Sequence, residues 1–230
     1  MTKTPAERVD RFRFLAAGSP SGLLRLADAD WLAAHLRAGG LAVLPTETGP
    51  MLAAVATDTS ALRAAFAVKG RDLRHPMHVA CASLAMADEY AQLSGAARRL
   101  LGRFTPGPLS VVVRQRETLP GELVTSRGTV GIRIPDHPAT LQVITAVGAP
   151  VTATSVNRSG EESEPLDAAS LARLDWGACD PVPVVADPAA VRFSRPSTLI
   201  RLTGPGLEVL RPGPVGEADL RRVLADPAPG

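Results

Sequence analysis

Apolar positions in this chain come in short runs that switch between a helical and an extended spacing. Asp28 and Asp30 offer caps for a helix through Trp31, Leu32, His35 and Leu36, stopped by Gly39-Gly40. Leu41-Ala42-Val43-Leu44 then runs apolar into Pro45, as a short buried strand does. Thr57-Asp58-Thr59 offers the next cap, and Leu62, Ala65, Phe66 and Lys69 follow at helical spacing until Gly70. Strands are expected over 77–82, 109–113, 129–134, 151–154, 182–185, 197–202 and 207–210. Helices are expected over 85–92, over 94–103 with Ser94 as cap, from Pro138 through Leu141, Ile144 and Val147, and over 216–225. Strands and helices interleave without a strict period or repeat, which predicts one α/β domain with a mixed sheet flanked by helices. Residues 1–27 read as a loosely structured arm and 28–226 as that domain.

Composition narrows the function. The 230 residues are 45% hydrophobic and 21% charged, ordinary for a soluble globular chain. Net charge is only +2, so there is no global basic field and any anion site must be local. Aromatics make up 3%, too few for a base-stacking platform. No apolar run approaches the roughly 18 residues of a membrane span, and the start MTKTPAERVDRFRF lacks the apolar core of a signal peptide. Two cysteines, Cys81 and Cys179, stand outside any C-x-x-C context, which fits a reducing cytoplasm. Walker, G-x-G-x-x-G and G-x-S-x-G motifs are absent. His75 and His78 would face opposite sides of a strand, so no zinc site is expected there.

The candidate chemistry is cationic and hydroxylic. Only two lysines occur against 23 arginines, and Lys69 is the one inside the folded body. Lysine supplies a compact point charge where arginine supplies a planar fork; a helix-end cation matched to the dipole is the plainer reading. Arg71 follows two residues on. Arg133 lies within the apolar run Val130-Gly131-Ile132-Arg133-Ile134, so it faces solvent or needs a buried anion. Arg211 closes another strand. Pro45-Thr46-Glu47-Thr48 and Ser155-Val156-Asn157 follow strands at the position where open α/β sheets hold ligands. Such residues also serve as ordinary turn formers.

Read in order, these segments resemble the Sua5/YciO/YrdC family, the threonylcarbamoyl-adenylate synthases of tRNA modification. The resemblance is carried by 39–48 ending in Pro45-Thr46-Glu47-Thr48, by Lys69-Gly70-Arg71 with Pro76-Met77, by Pro106-Gly107-Pro108-Leu109-Ser110 and by 130–138. Ser155-Val156-Asn157-Arg158-Ser159-Gly160, Pro196-Ser197-Thr198 and Leu210-Arg211-Pro212-Gly213 complete it. It spans about residues 30 to 225, in the length of the short, single-domain form. It implies a twisted α/β sheet around a positively lined concave cavity. It also implies that L-threonine, bicarbonate and ATP give threonylcarbamoyl-AMP and pyrophosphate, with magnesium as the charge-neutralising ion. Lys69, Arg71, Ser155 and Asn157 match the family's catalytic tetrad and are expected on the triphosphate. Thr46 matches the position that holds threonine, with Arg133 for its carboxylate or for phosphate. Ser197 and Arg211 match positions near the nucleotide. The family's short form acts with other proteins that pass the threonylcarbamoyl group to adenosine in tRNA.

The chain departs from the family at Gly49-Pro50-Met51, where an aromatic and a glycine are usual, and at Ala80, where relatives carry histidine; His78 would share that strand face. Two other readings therefore stand beside the first. One is a paralogue that makes or uses a different carbamoyl-adenylate, in the manner of carbamoyltransferases, from another amine. The other is a non-catalytic relative binding double-stranded RNA or nucleotide on the cavity surface.

Overall fold

A computed structural model describes residues 9–18, 20–158, 167–187 and 189–226. The first eight residues of the expected arm, and Ser159-Gly160 of the family-like segment, lie outside the described residues. The strands are β1 (Phe12–Ala16), β2 (Ala42–Leu44), β3 (Met51–Ala53), β4 (Val79–Ala80), β5 (Ala91–Gln92), β6 (Leu109–Gln115) and β7 (Thr125–Ser126). They continue as β8 (Thr129–Arg133), β9 (Val151–Thr152), β10 (Thr154–Ser155), β11 (Val182–Ala186), β12 (Thr198–Arg201) and β13 (Glu208–Arg211).

Among the described residues these form two mixed sheets, ordered β1-β11-β2-β3-β10 and β13-β12-β6-β8-β4-β9, with β5 on β6 and β7 on β8. In the first sheet β2 and β3 are buried along their whole length. Leu41, Val43 and Leu52 face one apolar cluster, while Ala42, Leu44, Met51 and Ala53 face the other. Burial on both faces is why this run reads as continuous rather than alternating.

The chain 150–155 joins the sheets. Val151 and Thr152 pair with β4, and two residues later Thr154 and Ser155 pair with β3. Thr152, fully buried, donates its hydroxyl to the Leu52 carbonyl at 2.7 Å and accepts the Ala54 amide at 3.1 Å. The step carries Ser155 to the place where the two sheets part.

Helices cover the faces. Asp58 caps Thr59–Lys69 by accepting the Ser60 and Ala61 amides, and Gly70 ends it in the left-handed region. Ser94 caps Gly95–Phe104, and Pro138 opens Pro138–Val147. The helix expected from Asp28 or Asp30 begins earlier, at Leu26 after Arg25, and Asp28 sits in its first turn, paired with Arg25 at 2.8 Å.

Other expectations need correction. Residues 12–16 are not part of a loose arm; they are β1, paired in parallel with β11 from Phe12↔Val182 to Ala16↔Ala186. Only Phe12 and Leu15 of this strand are buried, three residues apart, so no alternation announces it. β3 also went unexpected. The strand over 77–82 contracts to Val79–Ala80, and that over 151–154 divides at Ala153 as the chain changes sheets.

Candidate active site

A cleft of about 660 Å³ opens between the sheets, and three guanidinium groups line it: Arg71, Arg133 and Arg211. Each is held by a different element. Arg71 leaves the end of Thr59–Lys69 and donates from Nε to the His75 carbonyl at 2.7 Å and from an Nη to that of Pro76 at 3.2 Å. Arg211, the last residue of β13, donates from Nε and an Nη to the Ser197 carbonyl at 3.1 and 2.9 Å. The Ser197 hydroxyl in turn lies 2.9 Å from that of Ser110. The following Gly213 passes so close to this segment that a Cβ on it would sit 2.4 Å from the Thr198 nitrogen. Arg-Pro-Gly is thus the stretch that lets β13 close over Ser197. Burial lowers the pKa of Arg71 and of Arg211, the latter also through Arg133, yet a guanidinium stays charged.

Arg133 answers the question its sequence context raised. It is 8% exposed, and Glu47 is fully buried beside it. One Nη donates to Glu47 Oε1 at 2.8 Å and to the Thr48 hydroxyl at 2.6 Å. The other carboxylate oxygen of Glu47 accepts the Asp136 amide at 2.9 Å, so one acid ties β8, the loop after β2 and the loop before Pro138 together. Thr46 is buried within this turn: its hydroxyl donates to the Gly49 carbonyl at 2.6 Å and lies 3.4 Å from the Arg133 Nη.

Lys69 is 2% exposed. Its ammonium donates to the carbonyls of Ser155 and Asn157 at 2.5 and 2.7 Å and to Asn157 Oδ1 at 3.2 Å. Ser155 Oγ also donates to Asn157 Oδ1. Desolvation, with a smaller contribution from the Arg71 charge, lowers the Lys69 pKa to about 8. Its immediate role in the fold is to pin the Ser155–Asn157 loop at the cleft wall.

His78 also lines the cleft. Its pKa is pushed down to about 4, first by burial and then by Arg211, Arg71 and Arg133, so the ring is neutral near pH 7. It lies flat against Gly131, where an added Cβ would stand 2.4 Å from its Cδ2. Gly131→Ala is expected to force the ring aside and to lower stability by about 1–3 kcal/mol, the usual cost of overpacking. Urea unfolding measures this, and combining the change with His78→Ala should restore most of the loss. No loss in the single variant would show that the ring is not seated on Gly131.

Of the residues expected at the site, Arg71, Arg133, Ser155, Asn157, Ser197 and Arg211 line the cleft. Lys69 and Thr46 stand behind its wall and hold the loops that do. Two contributors went unnoticed in the sequence. Ser110 is the second residue of β6, with no signal beyond its place in a family-like segment; Glu47 was visible only as one member of a turn-like cluster.

Compared with known proteins, the chain matches the family model described as Sua5_yciO_yrdC, telomere recombination, over residues 34–213. It is 38% identical over 191 residues to a Mycobacterium tuberculosis protein named "Putative threonylcarbamoyl-AMP synthase", covering 82% of this chain and 85% of that one. It is 32% identical over 195 residues to the threonylcarbamoyl-AMP synthase of Pyrococcus abyssi, covering 84% of this chain and 56% of that one. The crystal structure of P. abyssi Sua5 complexed with L-threonine is similar with a TM-score of 0.81 and 29% identity, over 93% of this chain and 61% of that one. E. coli YciO shares the fold, with a TM-score of 0.75 at 24% identity, over 91% of this chain and 98% of that one.

Proposed function

This chain belongs to the Sua5/YciO/YrdC family, and we propose that it is a nucleotidyltransferase making L-threonylcarbamoyladenylate from L-threonine, bicarbonate and ATP, for threonylcarbamoylation of adenosine in tRNA. The observation that carries the reading is the convergence of Arg71, Arg133 and Arg211 on one cleft beside the Ser155–Asn157 loop, in a chain of net charge only +2. Bicarbonate and the free threonine amine give the carbamate by way of CO2, with one water released. A carbamate oxygen then attacks the α-phosphate in line, and the bond to the β,γ-pyrophosphate breaks. Both reactants are anions, so transfer depends on positioning and on cations that are already in place.

In this reading Arg71 and Arg211 meet the triphosphate and the leaving pyrophosphate, and the Ser155 and Asn157 side chains position it. Lys69 acts from behind that loop, holding it and adding a charge. Arg133, fixed by Glu47, faces the carboxylate of the amino acid or the α-phosphate, with Thr46 shaping the turn and Ser197 lying by the nucleotide. Among the described residues the cleft lining includes no carboxylate, and no group of three His, Cys, Asp or Glu comes together. These residues do not fit a resident metal, and magnesium has its place here as counter-ion of the ATP substrate. Free Cys81 and Cys179 support a reducing cytoplasm, and no helix among the described residues is long and apolar enough to cross a membrane. The product is taken by tRNA-modification proteins.

Purified protein given ATP, bicarbonate and threonine is expected to release pyrophosphate in a threonine-dependent manner. Release equal to an ATP-only control would end the proposal. Because Pro50 and Met51 line the cleft, the same assay run with other amines tests the reading of a different carbamoyl-adenylate; a larger response to another amine would replace threonine.

A further inference from the structure

A second cleft, of about 580 Å³, lies at the far end of β6 and β12. These two strands run parallel, and the cleft sits beyond their carboxyl ends, where open α/β sheets commonly hold ligands. Ser110 of the first cleft and Arg114 of the second are four residues apart on β6, roughly 13 Å along a strand. The two clefts are therefore separate.

Three arginines line this second cleft, Arg99, Arg114 and Arg116, and among the described residues no aspartate or glutamate does. They differ in how far the fold already uses them. Arg116 is committed: its Nε donates to the carbonyls of Asp88 and Ala91 at 2.6 and 3.2 Å, and an Nη lies 3.5 Å from Asp88 Oδ1. Arg114 is exposed and opposite Gln92 on β5, and its guanidinium makes no hydrogen bond or ion pair among the described residues. Arg99, from the helix Gly95–Phe104, reaches the Leu224 carbonyl through one Nη at 3.4 Å, while its Nε is buried with no hydrogen-bond partner among the described residues. Arg99 therefore keeps Nη donors that no bond among the described residues uses, and a guanidinium carries five N–H donors in all. Leu93, Leu202, Leu207 and Leu224 supply an apolar lining beside these cations.

We propose that this second cleft binds an organic phosphate of nucleotide size, with the phosphate on Arg99 and Arg114 and the apolar or ring portion on the leucines. Cations without opposing acids select an anion, and a bidentate guanidinium matches phosphate in particular. The leucine lining selects against a bare inorganic ion. No aromatic side chain lines the cleft, so it lacks the stacking platform that single-stranded nucleic acid uses.

Equilibrium dialysis with AMP tests the proposal on the intact chain. The parent is expected to bind two AMP per chain. Arg211→Ala should lose the first cleft's AMP and keep the second with unchanged affinity. Arg99→Gln with Arg114→Gln should weaken the second by about tenfold or more, while threonine-dependent pyrophosphate release stays at the parent level. Arg114→Gln alone disturbs no bond of the fold, and it should still weaken AMP severalfold. Inorganic phosphate should bind the second cleft at least tenfold more weakly than AMP. The proposal is overturned if the parent binds a single AMP that Arg211→Ala removes, or if the arginine variants leave the second affinity intact. It is overturned equally if phosphate binds as tightly as AMP, or if an oligonucleotide binds where AMP does not. Dialysis decides the matter whether or not the protein releases pyrophosphate, so its failure is distinct from failure of the proposed activity.

Discussion

Lys69→Ala should lower threonine-dependent pyrophosphate release by about 100-fold or more, the scale of losing one preorganised electrostatic group, and Lys69→Arg should fail to rescue it. The ammonium is enclosed by two carbonyls and a side-chain amide oxygen within 3.2 Å. A planar guanidinium cannot converge on three such acceptors from a site that is 2% exposed. Far-ultraviolet dichroism and a cooperative melt establish that the variants fold; parent-like release by Lys69→Arg would refute the point-charge argument.

The same residue couples activity and stability to pH in opposite directions. Its pKa of about 8 in the fold lies below the ordinary lysine value of 10.5. Between these values the unfolded chain holds a proton that the folded chain has lost, so the stability linked to Lys69 rises with pH through that window. Activity should fall there, because the neutral amine no longer presents its charge or all its donors. The difference between parent and Lys69→Ala, followed by urea unfolding from pH 7 to 10.5, isolates this group from others that titrate. A parent advantage that does not grow with pH would contradict it.

Glu47→Ala is expected to be the most destabilising single change at the site. It would leave Arg133, 8% exposed and with no partner for its Nε among the described residues, without its anion, and would free the Asp136 amide as well. Removing one partner of a buried ion pair costs about 3–5 kcal/mol. At about 2–4 °C per kcal/mol for a chain of this size, the melting temperature should drop by roughly 6–20 °C. Replacing both members by methionine should recover much of the stability while eliminating activity, since apolar replacement of a buried pair is often neutral. A loss under about 0.5 kcal/mol for Glu47→Ala, the level of an ordinary surface change, would show that the pair is not buried as described.

Much of the helical structure was legible because its signals are local. Asp58, Ser94 and Pro138 announce their helices through groups that bond or preset the backbone within three residues. Most strands buried on both faces were legible as apolar runs, as at β6, whose first five residues are all buried, but β3 was not, although it too is buried throughout. They were not legible where pairing alone makes the strand. β1 exists because β11 lies beside it, and β5 and β7 are two-residue pairings on the edges of β6 and β8.

The candidate site divides along the same line. Residue order and type alone marked Lys69, Arg71, Arg133, Ser155, Asn157 and Arg211, and showed that a charge inside an apolar strand must have an anionic partner if it is buried. That much follows from the cost of burying an unpaired ion, which holds wherever the residue ends up. Only the tertiary structure decided that the partner is Glu47, 86 residues away. It also placed Lys69 behind the Ser155–Asn157 loop and gathered three guanidiniums around one cleft. Desolvation and hydrogen-bond geometry depend on distances across the two sheets, and those are set when 150–155 crosses from one sheet to the other.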